Sequence, residues 1–381
     1  MTLQQQVTDA FQARYGAAPA AVVQVPGRIN LIGGHTDYNG GYVLPINIDR
    51  YTLIALRARD DDRVNLHHTT HNADEQYDLT GYNSKVGHWL NPILAMTDVL
   101  QRNGYDLHGW DGVIASELPD GIEMGAEAAL MIGAASAFAV TSAFDFDREA
   151  IARLAQTARR EWLGMPLGVG DLLSIAIGQA GQALLVDELN GDYERVDFPE
   201  TARAIVLDTG ERVDAAALRN LIETRIAETE VAVKSYRVNH LRDLSMSRFE
   251  KDAEELDDLV SNRAKHILTE NGRAILASEM LRSSAIATVG RLMNDSHESL
   301  KDLYDVTSTT ADQVVGSVLG LPNVLGARST DYGMGGVNVA LVSDLSADTV
   351  SKLVISDYKR ASNGGEVSAF VTRVVHGVKL L

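Results

Sequence analysis

The chain reads as an α+β protein of two domains. Three observations predict this. Its 381 residues exceed what a single hydrophobic core usually serves. Short apolar runs of β type and longer runs with helical spacing both recur along it. Within each half the strand-like runs precede the helical ones, a pattern of segregated sheets and helices with a cleft between two domains.

The elements follow in order. Val7, Phe11 and Tyr15 fall at helical spacing within residues 3–15. Strand-like runs come next at "AVVQV", "YVLPINI", "YTLIALRA" and "RVNLHHTT". "LNPILAMTDVLQRNGY" is helical as far as Gly104, and "DGVIASEL" returns to strand. "AEAALMIGAASAFAVTSAF" and "DREAIARLAQTARREWLG" are two consecutive helices rich in alanine and leucine. "QALLVDE" and "ARAIVLDTG" are strands, and from Ala215 to Asp305 the chain is mainly helical. A strand pair lies near "GARSTDYGMGGVNVALVSD". The expected boundary is near 196–204, dividing 1–199 from 200–381.

Composition narrows the function. A net charge of −18 disfavours nucleic acid and anionic membrane as partners, since both are polyanions. Without cysteine there is no disulfide, thiolate metal site or cysteine nucleophile, which fits a cytoplasmic location. The N-terminal segment lacks the basic flank and apolar core of a signal peptide, and no run of 18 apolar residues suggests a membrane span. His67, His68 and His71 are expected to be surface histidines without a fixed carboxylate partner. "SRFEKDAEELDDLVSNRAKH" is expected to be one solvated helix.

The densest polar cluster is "VPGRINLIGGHTDYNGGYVLPINIDR", residues 25–50. A strand ends at Asn30–Leu31, and a glycine-rich turn then presents His35 and Asp37. An imidazole beside a carboxylate suits recognition of vicinal hydroxyls. Taken alone, the stretch also fits a hairpin turn whose polar groups satisfy backbone.

"GRINLIGGHTDYNGGYVLP" resembles the galactokinase signature G-R-x-N-L-I-G-E-H-T-D-Y-x-x-G-x-V-L-P. "GQALLVD", "HILTENGRAILA", "GRLMNDSHESLKDLYDVT" and "GARSTDYGMGGVNVALV" match further motifs of that family in the same order, the last resembling G-A-R-M-T-G-A-G-F-G-G-x-x-x-A-L-V. The resemblance to the galactokinase branch of the GHMP kinases covers nearly all the chain, except the ending "AFVTRVVHGVKLL". It implies the two-domain GHMP kinase fold with its active-site cleft between the domains, and ATP and Mg²⁺ as cofactors of phosphoryl transfer to a sugar. The family's catalytic arginine and aspartate fall on Arg28 and Asp171. A carboxylate can take the sugar's hydroxyl proton while a guanidinium steadies the transferring phosphoryl group. Sugar-contacting positions carry over to His35 and Asp37, and Gly333, Gly335 and Gly336 form the third motif.

The departures cluster at ligand positions. Gly34 replaces a glutamate that holds a sugar hydroxyl; restoring it is expected to tighten galactose binding. Leu172 replaces the glutamine after the catalytic aspartate, and Asn220 and Leu221 stand where a sugar-facing tyrosine is usual. The phosphate loop G-L-S-S-S-A keeps Gly121 but then carries Glu123, Met124, Gly125, Ala126 and Glu127, without hydroxyls. An acid in the first turn of the following helix satisfies its amides and dipole in place of a phosphate. Arg159 stands at the family's magnesium glutamate, so Glu127 and Arg159 are expected to pair within roughly 4 Å. The resulting expectation is a galactokinase-like protein, impaired or inactive as a kinase, a sugar-binding or regulatory pseudokinase, with a small-molecule sugar as ligand, ATP and Mg²⁺ as cofactors only if it is active and otherwise none, and any protein partner unnamed. The alternative is an active ATP-dependent sugar 1-kinase, a galactokinase or one with shifted sugar specificity; as a hard-oxygen donor, Glu127 is then a candidate ligand for magnesium.

Overall fold

Val22, Val23, Val25 and Ile29 make the first β-type run apolar enough to bury, and it forms the strand Ala21–Asn30. The structure is a computed structural model that describes residues 1–83, 88–120, 123–252, 256–334, 336–362 and 364–381, the side chains of Glu123 and Asp252 excepted. The chain divides into two units. One comprises Met1–Arg28, Asn47–Gln179 and Val375–Leu381; the other comprises Ile29–Ile46 and Ala180–Val374. The boundary expected near 196–204 therefore falls inside the second unit. The chain changes unit within the strands Ala21–Asn30 and Pro45–Ala58, where a run of apolar residues carries no mark of division.

The first unit carries a six-stranded sheet in the order Lys379–Leu380, Ala21–Asn30, Pro45–Ala58, Trp110–Ser116, Arg63–His68, Ala73–Asp78. Arg63–His68 runs parallel to Trp110–Ser116 and the strand Ala73–Asp78 pairs antiparallel beside it. The helix Ala126–Ser142 buries alanines together with Met131, Ile132 and Phe138, which explains why its sequence shows no polar stripe. In the helix Arg148–Ala158, Asp147 Oδ1 accepts from the Glu149 and Ala150 amides, a side-chain N-cap. The short helix Gly170–Ile177, absent from the sequence reading, carries Asp171 in its first turn. The divergent C-terminal segment returns to this unit. The Gly377 and Val378 amides donate to Gly178 and Ile175 carbonyls, and Lys379–Leu380 pairs with Gln24 and Val23.

The second unit holds a four-stranded sheet, Val324–Ser329, Val337–Ser343, Ala202–Asp208, Ser368–Thr372, and a three-stranded one, Tyr42–Val43, Gln182–Asp187, Asp192–Asp197. "YVLPINIDRYTLIALRA" divides into Tyr42–Val43 and a single long strand, Pro45–Ala58. The expected solvated helix is two helices, Met246–Asp252 and Asp258–Arg282, because Asp257 caps the Val260 amide and starts the second. That second helix buries His266, Glu270 and Asn271.

Candidate functional site

In the first unit, the helix Arg148–Ala158 runs into a π-type turn, Arg159–Leu163, which places Arg159 under the start of two other helices. Its guanidinium, 1% exposed, is shared by two carboxylates. Nε donates to Glu127 Oε1 at 2.8 Å; Nη1 and Nη2 donate to Asp171 Oδ1 and Oδ2 at 2.9 and 2.8 Å. The expected Glu127–Arg159 pair is thus formed. The two-pronged grip on Asp171 is new, since sequence spacing gave no sign of it. Arg28 Nη2 lies 3.5 Å from Asp171 Oδ2, and the Leu172 amide donates to Oδ1 at 2.7 Å.

The electrostatics divide these carboxylates. Burial alone would raise the Asp171 carboxyl, but Arg159, Arg28 and its hydrogen bonds outweigh it and hold the group below the usual range. Burial, helped by the Asp171 charge, raises Glu127 above its ordinary value and outweighs the lowering by Arg159 and Arg28. Glu127 was expected to serve its own helix's amides; its Oε1 is instead on Arg159. Upstream, Met124 is buried at positive φ (51°), and Gly125, also left-handed, leaves room for Arg28: a Cβ there would lie 3.0 Å from Arg28 Cγ. Gly121 lies outside the described residues, as does the Glu123 side chain.

The second unit holds the other candidates. His35 takes a left-handed backbone (φ 61°), is 1% exposed, and is ringed by Tyr38, Tyr304 and Tyr332, with centroids at 5.7, 4.8 and 5.5 Å. Its Nε2 donates to the Tyr332 carbonyl (3.1 Å), so its Nδ1 accepts from the Tyr38 hydroxyl (2.6 Å). Burial holds this imidazole well below its ordinary pKa, hence neutral. The half-buried Asp37 accepts from the Tyr332 hydroxyl through Oδ2 at 3.0 Å.

Behind them sits a fully buried polar layer. Glu270 Oε1 accepts from the Gly33 and Gly34 amides (2.9 and 3.0 Å) and from Ser296, and its Oε2 from Arg273. Burial would raise Glu270, but Arg273 and Arg328 hold it far below the usual carboxylate range. His266 Nε2 donates to the Gly34 carbonyl at 3.0 Å. A Cβ at Gly34 would lie 2.7 Å from Arg328 Nη2 and 3.0 Å from Leu300 Cδ2, which is why a second glycine precedes His35. Gly333 and Gly336 are both left-handed, and Gly335 lies outside the described residues.

Sequence reasoning missed Tyr332, Glu270 and Arg328. The signal for Tyr332 was present, because "STDYGMGG" puts tyrosine where the resembled motif has alanine. The histidine expectation needs correction. His68 is buried against His71 and Trp89, and burial takes its pKa down to about 3, while His67 and His71 face Asp74 and Asp120 at 2.6 and 3.3 Å. Among the described residues no group of three or more histidine, cysteine, aspartate or glutamate side chains is arranged to hold a metal ion, and no helix is long and apolar enough to cross a membrane.

A family model for the galactokinase galactose-binding signature matches residues 9–58. The chain is 34% identical to the galactokinase of Roseiflexus sp. (strain RS-1) over 98% of its own length and 96% of that protein. It is similar to the crystal structure of Lactococcus lactis galactokinase complexed with galactose, with 28% identity, a TM-score of 0.92, and 99% and 100% of the two chains covered. Methanococcus jannaschii mevalonate kinase, at 17% identity and a TM-score of 0.66 over 93% and 98% of the chains, shares the fold.

Proposed function

The chain belongs to the galactokinase family, with the α+β GHMP kinase fold, and from that premise we propose that it is a sugar-binding or regulatory relative in which phosphoryl transfer is impaired. We place it in the cytoplasm on its lack of cysteine.

The observation that carries this reading is the grip of Arg159 on Asp171. A general base needs an accessible oxygen and a pKa near the working pH. Both oxygens of Asp171 accept from Arg159, and the carboxyl is held below the ordinary range. Magnesium prefers a cage of oxygen ligands. Here a guanidinium lies 2.8 Å from Glu127 and from Asp171, so the cationic charge is already supplied and the donor set does not fit the metal. A nucleotide phosphate would meet Glu127 in the first turn of its helix, where a carboxylate repels it. The sugar side rests on the family signature over His35 and Asp37.

The second reading, an active ATP-dependent sugar 1-kinase, is favoured by one observation: Arg28 and Asp171 are both kept, 3.5 Å apart.

Calorimetric titration of Mg·ATP into the wild type, Glu127→Ser, Arg159→Glu and the double variant separates the two. The wild type is expected to bind no Mg·ATP at up to about 1 mM, a level that typical kinases saturate. The double variant should recover more affinity than the two single changes combined, because Glu127→Ser alone leaves Arg159 on Asp171 and Arg159→Glu alone sets three carboxylates together. Formation of galactose 1-phosphate by the wild type, lost in Asp171→Asn, would replace this proposal with the second reading.

A further inference from the structure

Tyr332 makes contact with both residues that the galactose-binding signature brings to the sugar side. Its hydroxyl donates to Asp37 Oδ2 at 3.0 Å, and its carbonyl accepts from His35 Nε2 at 3.1 Å. Its ring meets the imidazole edge-on at 5.5 Å. The backbone is bent to allow this: His35 and Asp331 are both left-handed without being glycine (φ 61° and 50°), and the Gly333 amide closes a turn on the Thr330 carbonyl at 3.1 Å. Such costly conformations persist only where surrounding structure holds them, and they gather at functional sites.

We propose that Tyr332 sets what this site accepts, its phenol hydroxyl taking the place at Asp37 that a hydroxyl of a galactose-like pyranose would take. The proposal rests on the reading of His35 and Asp37 as sugar-facing groups. A phenol and a sugar hydroxyl are equivalent donors toward a carboxylate, and with the phenol already on Oδ2 a sugar hydroxyl gains less by donating there. The phenol has the advantage of being tethered, so it loses little freedom in making the bond, whereas a free sugar loses all its translation. Galactose therefore binds weakly. A pyranose lacking the hydroxyl that would face Asp37 binds as well as galactose itself, because that contact is already made within the chain. The His35 contact runs through the Tyr332 backbone carbonyl and survives side-chain replacement.

The test is calorimetric titration of galactose and its monodeoxy analogues into the wild type, Tyr332→Phe and Tyr332→Ala, with thermal unfolding to confirm that each is folded. Tyr332→Ala is expected to bind galactose about ten-fold tighter than the wild type. One deoxy analogue should lose that gain while binding the wild type as well as galactose does. Tyr332→Phe keeps the ring and loses the donor, so it should show a smaller gain with the same analogue pattern. Equal or weaker galactose binding by both variants would overturn the proposal and leave the sugar site standing. No binding of any sugar to any of the three proteins would overturn the proposal and the sugar-facing reading together.

Discussion

At the residue scale, Gly34 shows how one missing side chain is answered by its surroundings. Arg328 lies fully buried against it. Its Nη1 donates to the Leu31 carbonyl at 3.2 Å; its Nε and Nη2 make no hydrogen bond among the described residues, with Glu270 Oε1 4.0 Å from Nη2. Restoring glutamate at 34 was expected to tighten galactose binding, and the structure changes that expectation. A Cβ there collides with Nη2, and a new carboxylate would be drawn to Arg328 before any sugar. Gly34→Ala should therefore destabilise the protein by about 1–3 kcal/mol, the usual cost of overpacking a filled interior. Urea unfolding measures it; an unchanged midpoint would show that Arg328 shifts freely.

At the scale of elements, the helix Gly170–Ile177 positions Asp171, and the far end of the chain holds that helix. The Val378 amide donates to Ile175 and the Gly377 amide to Gly178, each at 2.8 Å; the Leu381 amide donates to Val22 at 2.9 Å, and Val378 is buried. With the Val375 amide on the Asn47 carbonyl at 3.3 Å, four hydrogen bonds at about 1 kcal/mol each and one buried valine at about 1.5–3 kcal/mol sum to roughly 6 kcal/mol. Deleting Val375–Leu381 should lower unfolding free energy by that order, measured by denaturant titration. A truncated chain of wild-type stability would mean the segment is merely laid on the surface. This ending was the one place where the family resemblance failed, so sequence pattern could not show its role. Lys379 and Leu380, too short a run to read as a strand, pair with Gln24 and Val23 only because the fold brings them there.

At the scale of the whole molecule, pH dependence follows from histidines buried without charge. His266 faces Glu270, Arg273 and Arg328; His297 faces Asp312, Arg328, Lys301 and Asp302. Burial takes each from 6.5 down to about 4. The unfolded chain takes up these protons near pH 6.5 while the folded chain refuses them until about 4. Stability contributed by these groups is therefore complete above pH 6.5, falls as pH drops toward 4, and levels below that, a loss on the order of a few kcal/mol. Glu127 works in the opposite direction. Its raised folded value means that its contribution weakens as pH rises past the ordinary carboxylate range. Denaturant unfolding at intervals from pH 4 to 8 should show the histidine slope, reduced in His266→Gln. A flat profile would mean that these rings take up protons in the folded protein as readily as in the unfolded chain.

The sequence by itself determined the α+β class, most strands and helices, the family, and the positions at which this chain departs from it. Those are local properties: hydrophobic periodicity, caps, and residue types in motif order. It also placed Glu127 beside Arg159, because both fall at positions that share one function in the family. Only the tertiary structure decided that Arg159 reaches past Glu127 to both oxygens of Asp171, since the direction of a long side chain depends on what is packed around it. It alone decided that Tyr332, almost 300 residues along from Asp37 (295 positions), supplies that carboxylate's hydrogen bond. Hydrogen bonds between distant segments carry no periodicity in sequence; they exist once burial has brought polar groups together and each must find a partner.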